Sequence, residues 1–158
     1  MAVALDTTLR IRRADAADEA FIGRLADTAF RDFDPRAREH TLESVRAPGA
    51  VTLLALRDDE PVGFAVIEFG RTHAALQAIA VEARERGRGL GARLMHSVEH
   101  AARKHGVRSL RLCTAQANVE ALGLFMKHGF RIERRMQRFY ANGQDACALT
   151  KSVLASST

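Results

Sequence analysis

The sequence predicts a single domain of the α/β (α+β) class, a sheet with flanking helices. Three observations carry this. Apolar segments with strand character alternate with segments whose apolar residues recur at helical spacing. A run of closely spaced glycines, Gly87, Gly89 and Gly91, joins one such strand directly to one such helix. The 158 residues, 47% hydrophobic and 27% charged, match one globular domain with a core of its own.

The elements follow in order. Thr8-Leu9-Arg10-Ile11-Arg12 alternates, as a first strand with one buried face does. Asp15 or Asp18 can cap the next helix, whose apolar stripe is Phe21, Ile22, Leu25, Ala29 and Phe30. Asp34-Pro35 opens a second helical piece that runs to Val45 and is stopped by Pro48-Gly49. Val51 to Leu56 and Val62 to Phe69 form a hairpin around Arg57-Asp58-Asp59-Glu60-Pro61. The acidic cluster in that turn reads as solvated carboxylates rather than as metal ligands.

After the turn Gly70-Arg71-Thr72, His73 to Val81 is the strand that leads into the glycine run. Leu90, Leu94, Val98, Ala101 and Ala102 then share one helix face, and Lys104-His105-Gly106 ends that helix. Val107 to Cys113 is a strand with Leu110 and Leu112 on one face. Asn118 caps a helix with Ala121, Leu122, Phe125 and Met126 at helical spacing, and Gly129 terminates it. Arg131 to Tyr140 and Asp145 to Leu154 read as two last strands around the turn Ala141-Asn142-Gly143-Gln144. No internal repeat, low-complexity tract or linker interrupts the pattern.

Composition narrows the function classes. Cys113 and Cys147 are too few for a disulfide framework and lack metal-ligand spacing, so no metal is expected. Met1 to Leu9 has neither a basic leader nor a long apolar core, so no signal peptide is read there. No apolar run nears the ~20 residues of a membrane span. The expected setting is the cytoplasm, with no membrane partner. A net charge of +5 and a pI of 10.0 raise the question of a nucleic-acid partner. No nucleic-acid module or aromatic-studded basic strand accompanies the charge. An arginine-rich surface with a polyanionic ligand to hold explains it, so no nucleic-acid partner is expected.

The glycine run reads as an anion cradle. Residues without a Cβ let a ligand approach the backbone. A helix that starts at this point leaves its first N–H groups unpaired at the positive end of its dipole. Arg86 and Arg88 add charge-assisted donors. A Walker loop is excluded because no lysine follows. A dinucleotide fingerprint fits poorly, because the spacing is Gly-x-Gly-x-Gly and Arg111 stands near the offset where an acid belongs.

Arg86-Gly87-Arg88-Gly89-Leu90-Gly91 resembles the Gln/Arg-x-x-Gly-x-Gly/Ala signature of the GNAT N-acetyltransferase superfamily. A second block, matched at Asn118, Ala121, Gly129 and Phe130, is similar to that superfamily's Asn-x-x-Ala-x-x-x-Tyr-x-x-x-Gly-Phe pattern. The two blocks lie between Arg86 and Phe130. The resemblance implies a mixed, mostly antiparallel sheet of six to seven strands with about four helices, splayed at its central strands. It implies acetyl-CoA as acyl donor and an amine as acceptor, a small molecule or a peptide. It places the diphosphate on Arg86, Gly87, Arg88, Gly89, Leu90, Gly91 and Ala92, the pantetheine arm along Ile79, Ala80 and Val81, and further contacts on Asn118 and Phe125. Sheet edges in such folds often pair, so a homodimer is open.

Moving an acetyl group from a thioester to an amine needs a neutral amine, a donor for the thioester oxygen and a proton for the departing thiolate. The resemblance assigns the oxygen to a backbone N–H near Ile79, Ala80 and Val81. The superfamily's tyrosine is replaced by Phe125, which has no proton to give. Tyr140, the chain's one tyrosine, is the catalytic candidate in its place, with a cross-strand aromatic at a sheet edge as the alternative. Cys113 and Cys147 read as buried, inert thiols.

For the base, the strand before the loop offers Gln77, which cannot titrate. His73 near its start is the catalytic candidate, and Glu68 lies on the neighbouring strand. Phe139-Tyr140 followed by Asp145-Ala146 resembles the Tyr-Tyr…Asp-Ala tail of the N-terminal-peptide branch, which points to a peptide or protein amine. Phe125 and the missing glutamate keep a second reading open, a catalytically weak or silent acyl-CoA sensor on the same fold.

Overall fold

The strands are β1 (Leu9–Arg13), β2 (Ala50–Arg57), β3 (Glu60–Phe69), β4 (His73–Val81), β5 (Ser109–Ala115), β6 (Arg131–Met136) and β7 (Ala146–Ser152). The helices are α1 (Glu19–Phe30), α2 (Ala37–Arg46), α3 (Leu90–His105) and α4 (Val119–Lys127). The computed structural model describes residues 8–140 and 142–153. The sequence readings of the N-terminal leader region, Ala141 and Leu154 fall outside those residues.

All seven strands join one sheet in the order β1-β2-β3-β4-β5-β7-β6. Every pairing is antiparallel except β4 with β5, which is parallel. The parallel step follows from connectivity, because α3 must carry the chain back to the start of the sheet before β5 can begin. The mixed, mostly antiparallel sheet and its four helices are those expected.

Local chemistry accounts for the boundaries. Asp15 accepts the Ala17 N–H at 2.9 Å while Asp18 accepts the Asp15 N–H at 2.9 Å, a reciprocal cap ahead of α1. Asp58 and Asp59 carry positive φ, which turns β2 into β3 within a two-residue hairpin. Their carboxylates meet the Thr8 N–H and the Arg10 guanidinium, each a surface contact. Among the described residues, no cluster of three His, Cys, Asp or Glu is arranged to hold a metal ion. No helix among them is long and apolar enough to cross a membrane.

Two cores sandwich the sheet. Leu90, Leu94, Met95 and Val98 of α3 pack on Ala55, Val62, Ala65 and Ile67, while Ile22, Leu25 and Ala26 of α1 pack on Leu54, Phe64 and Val66 of the other face. Gly63 fixes how closely α3 approaches. A Cβ there would stand 2.9 Å from the Ala80 carbonyl oxygen and 3.3 Å from Leu94 Cδ1. Gly63→Ala is therefore expected to lower stability by about 1–3 kcal/mol, read as a lower urea midpoint with an unchanged slope.

Three sequence readings are corrected. Met126 is 53% exposed, because α4 lies at the margin of the core and only Phe125 of its stripe is fully buried. The last two strands are shorter than their patterns: β6 stops at Met136 and β7 starts at Ala146, so Tyr140 lies outside both. Tyr140 is thus not a cross-strand residue. Cys113 is exposed rather than buried, since no helix covers its face of β5; Cys147 is fully buried as expected.

Candidate active site

The site begins where β4 and β5 part. Their ladder consists of His73↔Ser109, Ala74↔Leu110 and Ala75↔Arg111, and goes no further. An irregularity at Val66/Ile67 inserts Gln77 as an extra residue in β4. Beyond it, Glu82 N–H reaches the Val62 carbonyl at 2.8 Å. By the alternation of an antiparallel ladder, Ala80 then turns its main chain toward β3, and Ile79 and Val81 turn theirs into the gap. The gap is lined by unpaired backbone donors and acceptors.

The glycine-rich loop sits at one mouth of this gap. Gly89 is the N-cap of α3 with φ 81° and ψ 8°, a left-handed conformation that favours glycine. The Arg93 N–H bonds to the Gly89 carbonyl at 3.1 Å and is the first bond of the helix. The N–H groups of Leu90, Gly91 and Ala92 find no carbonyl among the described residues. A Cβ built on Gly87 or Gly89 meets nothing within 4 Å, so the space over the helix end is open. This geometry suits an anion such as a diphosphate.

The arginines of the loop are held loosely. Arg86 lies 3.8 Å from Glu120 and Arg88 lies 3.4 Å from Glu85, and both side chains are at least half exposed. Glu85 is anchored from beneath. Arg57 donates to both its oxygens at 2.8–3.0 Å. Those hydrogen bonds hold the Glu85 carboxyl below the usual carboxylate range against the opposing effect of burial. The anchored turn, residues 83–85, fixes the start of the loop, while the half-exposed Arg86 and Arg88 make only long contacts to Glu120 and Glu85.

The other mouth opens into a cavity of about 610 Å³, within the range of small-ligand sites. Gln77, Ala78 and Ile79 of β4 floor it, with Leu112 and Cys113 of β5. Phe30, Phe33, Asp34 and His40 of the α1–α2 region form one wall, and Phe139 and Tyr140 form another. The two walls are tied together. Asn142 Nδ2 and Gln144 Nε2 donate to the Asp32 carbonyl at 2.9 and 3.4 Å.

The expected site residues divide accordingly. Ile79, Asn118, Phe125 and Tyr140 line the cavity. Asn118 uses its Oδ1 to cap α4 at the Ala121 N–H, 3.2 Å away. Phe125 is 5% exposed and packs edge-on against Phe130, with ring centroids 5.9 Å apart. His73 sits at the closed end of the β4–β5 pair and is not among the residues that line the cavity. Gln77 donates to Glu68 at 2.9 Å.

Sequence reasoning missed a pair on the α2 side. His40 Nδ1 lies 2.5 Å from Asp34 Oδ2, and both residues line the cavity. Nothing in the local pattern marks them; the fold alone carries them to the β5 side. Their contact assigns the Nδ1 proton toward the carboxylate and leaves Nε2 as the basic nitrogen.

Burial pushes the Tyr140 phenol up to about 12, with Cys113, Asp34 and Cys147 adding smaller effects in the same direction. Partial desolvation at the cavity wall raises the Cys113 thiol, although Arg134 opposes it. The single tyrosine makes the first shift directly readable. Phenolate absorbance of the folded protein is expected to rise with a midpoint near 12, and to return to ~10 in concentrated urea. Because the folded phenol resists ionisation, stability contributed by Tyr140 is intact below pH ~10 and falls as pH rises toward the folded value.

The fold recurs in solved structures. Ard1 from Thermoplasma volcanium is 25% identical, with 93% of this chain and 99% of that chain covered at a TM-score of 0.83. The ribosomal-protein-S18-alanine N-acetyltransferase from Escherichia coli is 21% identical over 95% and 97%, with a TM-score of 0.82. A GNAT family acetyltransferase from Elizabethkingia anophelis with acetyl-CoA bound is 22% identical over 91% and 97%, with a TM-score of 0.77. The Bacillus subtilis protein YxbD is 27% identical over 79 residues, 50% of this chain and 49% of that protein, so the match spans about half the length of that curated relative. The family model described as "Acetyltransferase (GNAT) family" matches residues 15–130. With that match covering most of the chain, the loop and the β4–β5 gap included, the protein belongs to the GNAT acetyltransferase family.

Proposed function

We propose that the protein is an N-acetyltransferase that moves an acetyl group from acetyl-CoA to a primary amine, with a peptide or protein N-terminus as acceptor. One observation carries the reading. The β4–β5 gap lies between a helix end suited to an anion on one side and a cavity of about 610 Å³ on the other. Acetyl-CoA supplies an activated thioester, and the residues present fit it: the open space above Gly89 admits a diphosphate that a side chain would displace.

Each residue then has a task. The N–H groups of Leu90, Gly91 and Ala92, with Arg86 and Arg88, hold the diphosphate. The main chain of Ile79 and Val81 pairs with the arm, and one N–H of this stretch points at the thioester oxygen. The His40–Asp34 pair takes a proton from the incoming ammonium, which makes the amine nucleophilic. Tyr140 stays protonated at working pH and donates a hydrogen bond to the departing sulfur. The proton that completes the thiol comes from the amine nitrogen as the amide forms. His73 is too far toward the closed end of the strand pair to take this part.

The acceptor assignment is supported by the two walls of the cavity. The tie from Asn142 and Gln144 to Asp32 holds the segment that carries Tyr140 against the α1–α2 connection, which leaves a cleft between the two walls for a chain end. A second reading, a silent acyl-CoA sensor, is favoured by one feature, Phe125 where the family carries a tyrosine.

Thiol release measured with a peptide and its N-terminally blocked twin separates the readings. The expected result is release that requires the free α-amine. Saturable acetyl-CoA binding without release from any amine, unimproved by Phe125→Tyr, selects the sensor. No saturable binding at millimolar acetyl-CoA contradicts both.

A further inference from the structure

The β5–β7–β6 half of the sheet presents one uncovered face, and its ladders show what stands on it. Arg111 is opposite Thr150, which is opposite Arg131. One rung further, Cys113 is opposite Ala148, which is opposite Arg134. Cross-strand neighbours share a face, so all three arginines rise from the same side. Thr150 and Ala148 between them are small and each 8% exposed, while the arginines themselves are exposed. Adjacent strands lie ~4.8 Å apart, so Arg111 and Arg131 flank Thr150 at about 10 Å, within reach of one ligand.

This face is continuous with the cavity, since Arg111 and Arg134 line it beside Cys113. Arg10, Arg12, Arg24 and Arg46 each hold a carboxylate of the chain. Arg111, Arg131 and Arg134 hold none among the described residues. Three unpaired like charges on neighbouring rungs repel one another. Glu133, in the irregularity beside Arg134, lines the same cavity and forms an ion pair with none of them among the described residues. The opposite wall has the reverse character: Asp34 holds His40 and faces Tyr140.

From this polarity we infer that the acceptor is an acidic peptide: its α-amine lies at the Asp34–His40–Tyr140 end, and carboxylates of the residues just behind it lie across Arg111, Arg131 and Arg134. The inference rests on the amine-acceptor reading above, and names the class of amine. A phosphorylated residue would supply the same anionic chemistry as Asp or Glu.

The test is fluorescence anisotropy of dye-labelled peptides with free N-termini on the CoA-saturated protein. The peptides share a first residue and differ behind it: Asp/Glu, phosphoserine, Asn/Gln or Lys/Arg. The acidic peptide is expected to bind about ten-fold more tightly than its amide twin at physiological salt, an advantage that shrinks as salt rises. The charge reversal Arg131→Glu with Arg134→Glu is expected to invert the order in favour of Lys/Arg.

Equal binding of acidic and amide peptides overturns the inference. So does a short RNA that binds better than every peptide, which would assign the basic face to nucleic acid. A phosphoserine peptide that outranks the Asp/Glu peptide supports it and names phosphate as the anion. An acidic preference in a protein that releases no thiol would leave this inference standing and defeat the proposed reaction. Thiol release without charge preference would do the opposite.

Discussion

Replacing Gly89 by valine is expected to weaken acetyl-CoA binding by about 100-fold, roughly 2.7 kcal/mol. Two effects add. At φ 81° a β-branched residue is a severe outlier, so the first turn of α3 must shift and its N–H groups lose their common focus. The new side chain also enters space that is open within 4 Å of the glycine, directly over the helix end. The fold has room for the change on that side, so the cost to stability is expected to be the backbone term of about 1–2 kcal/mol. Calorimetry for the ligand and a urea melt for the fold measure the two separately. Wild-type affinity in a folded Gly89→Val protein would mean that the diphosphate rests elsewhere.

Tyr140→Phe is expected to lower kcat by about 100-fold with little change in acetyl-CoA affinity. The phenol is the hydroxyl of the Phe139–Tyr140 wall, it faces the cavity near Cys113, and burial keeps it protonated to about 12. That value makes it a firm hydrogen-bond donor but a reluctant source of a free proton. A thiol releases its proton near 8.5, so in the proposed reaction the departing thiolate would take the hydrogen bond and be completed by the amine's own proton. The variant should therefore lose kcat across the whole neutral range rather than shift a pH limb. An unchanged kcat would remove Tyr140 from the reaction and leave it as one wall of the acceptor cavity.

The local parts of this architecture were legible in the chain. The glycine spacing, the Asn118 cap and the α3 stripe each depend on a few neighbouring residues, and each is found where the pattern places it. Non-local facts were not legible. Cys113 alternates correctly with Leu112, yet whether its face is covered depends on α1 and α2, which stop short of β5. Tyr140 follows a strand-like pattern. Arg138, however, takes φ 51° and donates its N–H to Asp145 at 2.9 Å, which turns the chain over the cavity. The Asp34–His40 pair belongs to the same class, because its position opposite Tyr140 is decided by how α2 packs. His73 combines a titratable ring with a place near the start of β4, and only the ladder shows that this end of the strand stays paired with β5.

The most direct test of the central claim compares acetyl-CoA with acetyl-pantetheine, which keeps the thioester and lacks the diphosphate. Calorimetry on wild type and Gly89→Val gives a double cycle. The account predicts that removal of the diphosphate weakens binding by about 100-fold in wild type, and that Gly89→Val then costs acetyl-pantetheine nothing more. Equal affinity of the wild-type protein for the two thioesters, or an undiminished valine penalty on acetyl-pantetheine, would contradict it.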